Sequence, residues 1–168
     1  MRRLILVILG FVFILFGCGQ NLELDSLRSI DQGELIGFEG ENGTYNWKGI
    51  PFAEPPVRNL RWKATRKANP WVGRLEATKF KDSCFQRGSI FEDEQNEWSG
   101  SEDCLYLNIW TPKLSKEDIE NSSKKLPVMM WIHGGANVVG SAHTYDPSSL
   151  VSNHNVIVVT IHYRMGPL

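Results

Sequence analysis

The spacing of apolar positions changes several times along this chain. Residues 4–16 form a nearly unbroken apolar run behind Arg2 and Arg3. The run is short for a bilayer span, which takes about 20 residues, and has the charge and length of a secretory leader core. Residues 35–38 and 45–47 then flank Asn42-Gly43, a pair that tolerates positive φ and predicts a hairpin turn. From Leu105 to Trp110 the pattern alternates strictly. Leu105, Leu107 and Ile109 share one face, which predicts a half-buried strand. Val128–Ile132 and residues 156–161 are continuous apolar stretches, the mark of strands covered on both faces. Between them, Asp146-Pro147 reads as an N-cap followed by proline at the first helical position, predicting a short helix over about 147–153. Residues 115–125 read as a charged connection with a helical turn capped by Ser115, and residues 51–75 as an irregular wrapping segment. Buried strands joined through a helix predict an α/β fold with a largely parallel central sheet.

The residues that end the first continuous strand carry the candidate chemistry. Gly134 and Gly135, after His133, lack a Cβ, so the backbone can turn sharply and come close to a ligand. Binding groups in α/β sheets collect at the carboxyl ends of strands. Amides freed there, at Gly135 and Ala136, can donate to a developing oxyanion. A tight strand exit with no ligand is the other reading, and the tetrapeptide by itself leaves both open.

Composition narrows the classes. The chain has 168 residues, 42% hydrophobic and 22% charged, with a net charge of −1. That fits one folded domain at most and leaves no basic footprint for nucleic acid. No metal or cofactor is expected. Leu15-Phe16-Gly17-Cys18 resembles a bacterial lipobox. Cleavage before Cys18 would make residues 1–17 a signal peptide, 18–24 a linker, and Cys18 a lipid anchor to the membrane. Cleavage after Gly19 without lipid, and an uncleaved anchor, are the other readings. All three export the chain, to the bacterial cell envelope or as a secreted protein. With Cys18 lipidated, Cys84 and Cys104 are left to pair in an oxidising compartment. They would close a solvated loop containing Glu92, Asp93, Glu94 and Glu97.

The run Ser101-Glu102-Asp103-Cys104-Leu105-Tyr106-Leu107-Asn108, the segments 43–56 and 156–168, and the glycine turn resemble the type-B carboxylesterases in order and spacing. These are the esterase–cholinesterase family of α/β-hydrolases, and the resemblance runs from about residue 25 to the end. It implies the N-terminal part of an α/β-hydrolase fold, with a hairpin and the first strands of a mixed sheet. It also implies a small-molecule carboxylic ester as substrate and a serine acyl-enzyme mechanism. Carried over residue by residue, it makes Gly135 and Ala136 the oxyanion-hole donors, with Gly134 shaping the turn. Ala136 stands where a third glycine is commoner, and its methyl would narrow the pocket. The same resemblance implies a Cys84–Cys104 disulfide, a structural ion pair of Arg61 with Glu102, and an acidic partner for Arg164 beyond residue 168. Trp98 does not fall at the choline-binding position, so loop packing is expected of it.

Ser141 follows Gly140 but is not flanked as Gly-x-Ser-x-Gly requires, and no other serine here is. In the family the nucleophile, acid and base come later than the matched blocks. His133, His143, His154 and His162 are therefore not expected to be triad members, and His133 is expected to support the turn through a hydrogen bond. Residues 25–168 are expected to be the N-terminal part of a domain, truncated before the catalytic serine and inactive alone. A non-catalytic adhesion or binding relative of the same fold, and an inert truncated product, are the competing expectations. For the leader, Cys18→Ser should abolish lipid attachment and move the protein from the membrane to the soluble fraction. Unchanged processing and fractionation would instead indicate plain secretion.

Overall fold

The computed structural model describes residues 22–87, 98–121 and 125–166. The leader, Cys18 and the four acidic residues named above lie outside that range. Among the described residues no helix is long and apolar enough to cross a membrane.

The elements run in the order β1 (Arg28–Ile30), β2 (Gly33–Ile36), β3 (Phe38–Glu39), β4 (Thr44–Pro51), β5 (Arg74–Glu76), β6 (Gln86–Arg87), β7 (Trp98–Ser99), β8 (Tyr106–Pro112), α1 (Lys116–Asn121), β9 (Val128–Ile132), α2 (Ser148–His154) and β10 (Ile157–Ile161). The central sheet is mixed, in the order β3-β4-β8-β10-β9. Its pairs are antiparallel as far as β10, and β10 and β9 are parallel. A smaller sheet, β1-β2-β5, is hydrogen-bonded separately but packs Leu35 and Leu75 against the central sheet, and β6 pairs with β7.

The hairpin forms where the sequence places it, with Asn42 at φ 56 and Gly43 at φ 66 in the turn. The strand expected over 35–38 is divided, however. β2 belongs to the small sheet and β3 to the central one, and the step falls at Gly37. Any Cβ there would collide with the Asn46 carbonyl oxygen, so only glycine lets the chain cross. β4 runs on through a bulge between Trp47 and Ile50. In that bulge, Gly49 sits at φ 74 and its N–H donates to Asn108 Oδ1 at 2.9 Å. Asn108 Nδ2 donates in turn to Thr160 Oγ1 at 3.0 Å, so one buried carboxamide joins β4, β8 and β10.

β8 corrects an expectation of burial. Leu105 is buried, but Leu107 and Ile109 are only half-buried over Leu35, Tyr45, Trp47 and Ile50. The opposite face, Asn108 and Trp110, is the more completely closed. There α2 covers the sheet, and Trp110 packs with Val151, Val156 and Val158. Alternation reports which side is more apolar, but α2 decides which side closes. At α1, Ser115 and Asp118 exchange hydrogen bonds as a capping box. α2 starts one residue later than expected, with Pro147 rather than Asp146 at the N-cap, and Asp146 Oδ1 accepts the Ser148 N–H at 2.8 Å from just outside the helix.

β9 also departs from expectation. Val128, Met130 and Ile132 are 61%, 60% and 59% exposed, and Met129 is 49% exposed. Within the described residues β9 has a strand neighbour on one side only, and four of its five residues are exposed, so its free edge and its faces are both open. Such an edge is a template for association. Met130→Lys should lower the concentration-dependent self-association of the 168-residue chain in sedimentation velocity. Unchanged association would show that another surface is responsible.

Candidate active site

β9 and β10 are parallel and in register, Ile132 opposite Ile161, so their carboxyl ends bring His133 beside His162 and Tyr163. The His133 imidazole stacks on the Tyr163 ring with centroids 4.3 Å apart and planes 16° apart. The Tyr163 hydroxyl donates to the His133 carbonyl at 2.7 Å. His133 Nδ1–H donates to the Gly134 carbonyl at 2.9 Å. These contacts set the direction in which the chain leaves β9.

Past Gly134 the backbone closes into a small loop. Gly135 has φ 115, and Ala136 and Asn137 are left-handed at φ 57 and φ 61. The N–H groups of Val138 and Val139 converge on the Gly135 carbonyl at 2.9 and 3.1 Å. A Cβ on Gly135 would collide with the Val139 carbonyl, and one on Gly140 with the His133 ring and the Gly134 carbonyl. Asn137 takes a left-handed conformation readily, whereas Ala136 does so at a cost of about 1 kcal/mol. The methyl of Ala136 therefore strains the backbone as well as occupying space. Two contacts tie the loop to the rest of the chain. Gly166 N–H donates to the Asn137 carbonyl at 2.8 Å, and the Gln86 carboxamide pairs with Gly140 through both its oxygen and its nitrogen.

Gly134, Gly135 and Ala136 are exposed. Among the described residues no hydrogen bond engages the amide of Gly135 or Ala136. A cleft of about 500 Å³ lies against Gly134 and Gly135, walled also by Trp131, His133, Ser141 and Tyr145, and Ala136 sits just outside its lining. The turn thus leaves two backbone N–H groups unengaged among the described residues, one of them on a residue that lines the cleft.

Ser141 Oγ lies 2.8 Å from His143 Nδ1 and 3.2 Å from His162 Nε2. Serine against imidazole is the material of a nucleophile–base pair. A triad, however, needs an acid on the far nitrogen of the base, and among the described residues His162 Nδ1 is buried with no hydrogen-bond partner. Burial, then the neighbouring His143 and His133, push the His162 pKa down to about 4, so this ring is neutral at pH 7.

The remaining sequence candidates lie away from the turn. Cys84 and Cys104 are bonded, with Cα atoms 4.9 Å apart, and are buried beside Ala53, Leu105 and Met165. Closing a loop of 20 residues is worth about 3 kcal/mol in chain entropy. Arg61 grips Glu102 at two points, Nε to Oε2 at 2.7 Å and Nη2 to Oε1 at 2.6 Å, and the hydrogen bond raises the Arg61 pKa. Arg164 donates to the Lys63 carbonyl at 2.7 Å. Trp98 stacks on Phe85 at 5.2 Å, as loop packing requires. Sequence reasoning overlooked Gln86 and Tyr163. Tyr163 could have been found from its place just past a strand's carboxyl end. Gln86 reaches the loop only through the tertiary fold.

The mixed sheet, with its glycine turn at the carboxyl end of a parallel strand, matches part of the α/β-hydrolase fold of solved esterases. A solved PNB esterase superimposes with a TM-score of 0.70 at 39% identity, covering 85% of this chain and 28% of that one. A Geobacillus stearothermophilus carboxylesterase does so with a TM-score of 0.70 at 38% identity, covering 84% and 27%. The chain belongs to the carboxylesterase family, whose model matches residues 25–168. Among its relatives, the para-nitrobenzyl esterase of Bacillus subtilis (strain 168) is 44% identical over 130 residues, 76% of this chain and 25% of that protein. Carboxylesterase 1E of Mus musculus is 41% identical over 154 residues, 85% and 26% respectively. The chain spans about a quarter of the length of these curated relatives.

The buried histidine makes stability depend on pH. Its folded pKa of about 4 lies below its ordinary 6.5, so between these values the unfolded chain binds more protons. Stability should fall as pH drops through that window, by up to about 1.4 kcal/mol per pH unit, and the loss should level off below it. Urea unfolding followed by tryptophan fluorescence should show this slope, and His162→Asn should flatten it. An equal slope in the variant would assign the effect to other groups.

Proposed function

We propose that this chain supplies the oxyanion-stabilising part of a serine carboxylic-ester hydrolase. The observation that carries the reading is the Gly135–Ala136 turn. Its two N–H groups stand beside a cleft, and no hydrogen bond within the described residues engages them. In ester hydrolysis a serine oxygen adds to the carbonyl carbon, and the former carbonyl oxygen becomes an anion. The tetrahedral adduct expels the alcohol to leave an acyl-enzyme, and water repeats the addition to release the acid. Donors at Gly135 and Ala136 would stabilise the anion in both additions. Loss of one such donor typically costs about 10²- to 10³-fold in kcat. Gly134 shapes the turn without donating. The nucleophile must come from a Gly-x-Ser-x-Gly segment, which these 168 residues do not contain.

A small carboxylic ester suits the cleft and accords with the names of two relatives, para-nitrobenzyl esterase and carboxylesterase. Export with a lipid on Cys18 is part of the same proposal. Arg2, Arg3 and the apolar run support it, and the Cys84–Cys104 disulfide suits an oxidising compartment.

The test joins residues 25–168 to the remaining C-terminal part of the Bacillus subtilis esterase. Alone, the 168-residue chain should hydrolyse para-nitrophenyl acetate no faster than a denatured control. The fusion should hydrolyse it with saturation and lose activity to a serine reagent. In the fusion, Ala136→Val should lower kcat by about tenfold or more, because a β-branched residue resists the left-handed backbone that aims the donor. Saturable, serine-reagent-sensitive hydrolysis by the monomeric 168-residue chain would contradict the proposal, as would a folded but inert fusion.

A further inference from the structure

We propose that Gln86 is a positioning residue for the oxyanion turn, acting through Gly140, whose N–H and C=O it holds at once. The inference rests on the reading of Gly135 and Ala136 as oxyanion donors. Gln86 is 6% exposed and sits two residues past the buried Cys84. Its Oε1 accepts the Gly140 N–H at 2.6 Å, and its Nε2 donates to the Gly140 carbonyl at 2.9 Å and to the Cys84 carbonyl at 3.1 Å. Both N–H groups of the carboxamide are used. The side chain pairs with Gly140 as a neighbouring strand's backbone would, and it is anchored to the segment that the disulfide fixes.

Gly140 passes this restraint to the turn. At φ 135 it lies so close to the His133 ring and the Gly134 carbonyl that no Cβ fits between them. It therefore cannot drift toward them, and Gln86 keeps it from drifting away. One residue earlier, Val139 N–H donates to the Gly135 carbonyl at 3.1 Å, and Gly135 is itself pressed against the Val139 carbonyl. The far limb of the loop, held by Gln86, thus sets the orientation of the peptide that carries the Ala136 N–H. Among the described residues Gln86 makes no hydrogen bond to Gly135 or Ala136, and its effect on them runs through residues 139 and 140.

Two measurements test the link. In the 168-residue chain, hydrogen–deuterium exchange should rise about tenfold at the Val138, Val139 and Gly140 amides in Gln86→Ala. Amides of β8 and β10 should stay within about twofold of the parent. Gln86→Met keeps the volume without the carboxamide and should give the same pattern, so a poorly folded alanine variant does not decide the question. Unchanged exchange at Val138 and Val139 in Gln86→Met overturns the positioning role, whatever Gly135 and Ala136 do.

In the fusion with the Bacillus subtilis C-terminal part, Gln86→Met should lower kcat about tenfold with KM within about twofold. It should weaken binding of a phenylboronate, whose tetrahedral anionic adduct places a boron-bound oxygen where the oxyanion would lie, by a similar factor. A merely stabilising residue would leave both unchanged in folded enzyme. Faster exchange together with unaltered kcat and boronate affinity would overturn the oxyanion reading itself, and with it the role assigned to Gln86.

Discussion

The side chain of Asn108 holds the sheet in the register on which everything at its carboxyl end depends. It fills the gap that the Gly49 bulge opens in β4 and accepts the N–H that the bulge turns out of the ladder. Its amide then crosses to Thr160, the residue directly opposite on β10. Without it, two buried polar groups would lose their partners, at about 1–3 kcal/mol each. The cost of a slipped register would be larger. A shift of one residue would turn β10 over, exchanging buried Val158 and Thr160 for the half-buried Ile157, Val159 and Ile161. Because β9 is paired residue for residue with β10, the same register fixes where β9 stops.

The glycine turn follows from that endpoint. His133 emerges beside Tyr163, which stacks on its ring and binds its carbonyl, and the chain has no free choice of direction until Gly134. Within the loop, glycines stand at two points where a Cβ would collide with backbone, Gly135 and Gly140. The Cys84–Cys104 bond fixes a piece of chain distant in sequence, and Gln86 on that piece holds Gly140. The two candidate donors are thus fixed by contacts from β9, β10 and the disulfide-bonded segment, all within a quarter of the length of the family's longer members. Preorganisation of this kind is what makes a backbone donor useful, since no energy goes into orienting it as charge develops.

Much of this was legible in the sequence because it is local. The hairpin follows from Asn42-Gly43, α2 from Asp146-Pro147, and the turn from adjacent glycines after a strand. What could not be read depends on partners distant along the chain. Nothing near Asn108 shows that its amide will face Gly49, 59 residues away. Nothing near Gln86 shows that it will meet Gly140, 54 residues away. The alternation of Leu105, Leu107 and Ile109 marks an apolar side correctly, but α2 closes the other side more fully. The continuous apolar pattern of β9 shows a strand suited to burial on two faces, whereas its exposure depends on neighbours that no local pattern contains. At Ala136 the family resemblance implied a methyl where a third glycine is commoner. That the methyl sits on a left-handed backbone became visible only with the loop's geometry.

The most direct measurement is a crystal structure of the fusion with the Bacillus subtilis C-terminal part, its nucleophile trapped by a phosphonate ester. The phosphonyl oxygen, standing in for the oxyanion, should lie about 2.7–3.1 Å from both the Gly135 and the Ala136 amide nitrogens. Gln86 should remain paired with Gly140 in the same structure. A phosphonyl oxygen held by other donors, with these two amides turned away from it, would contradict the role assigned to the turn.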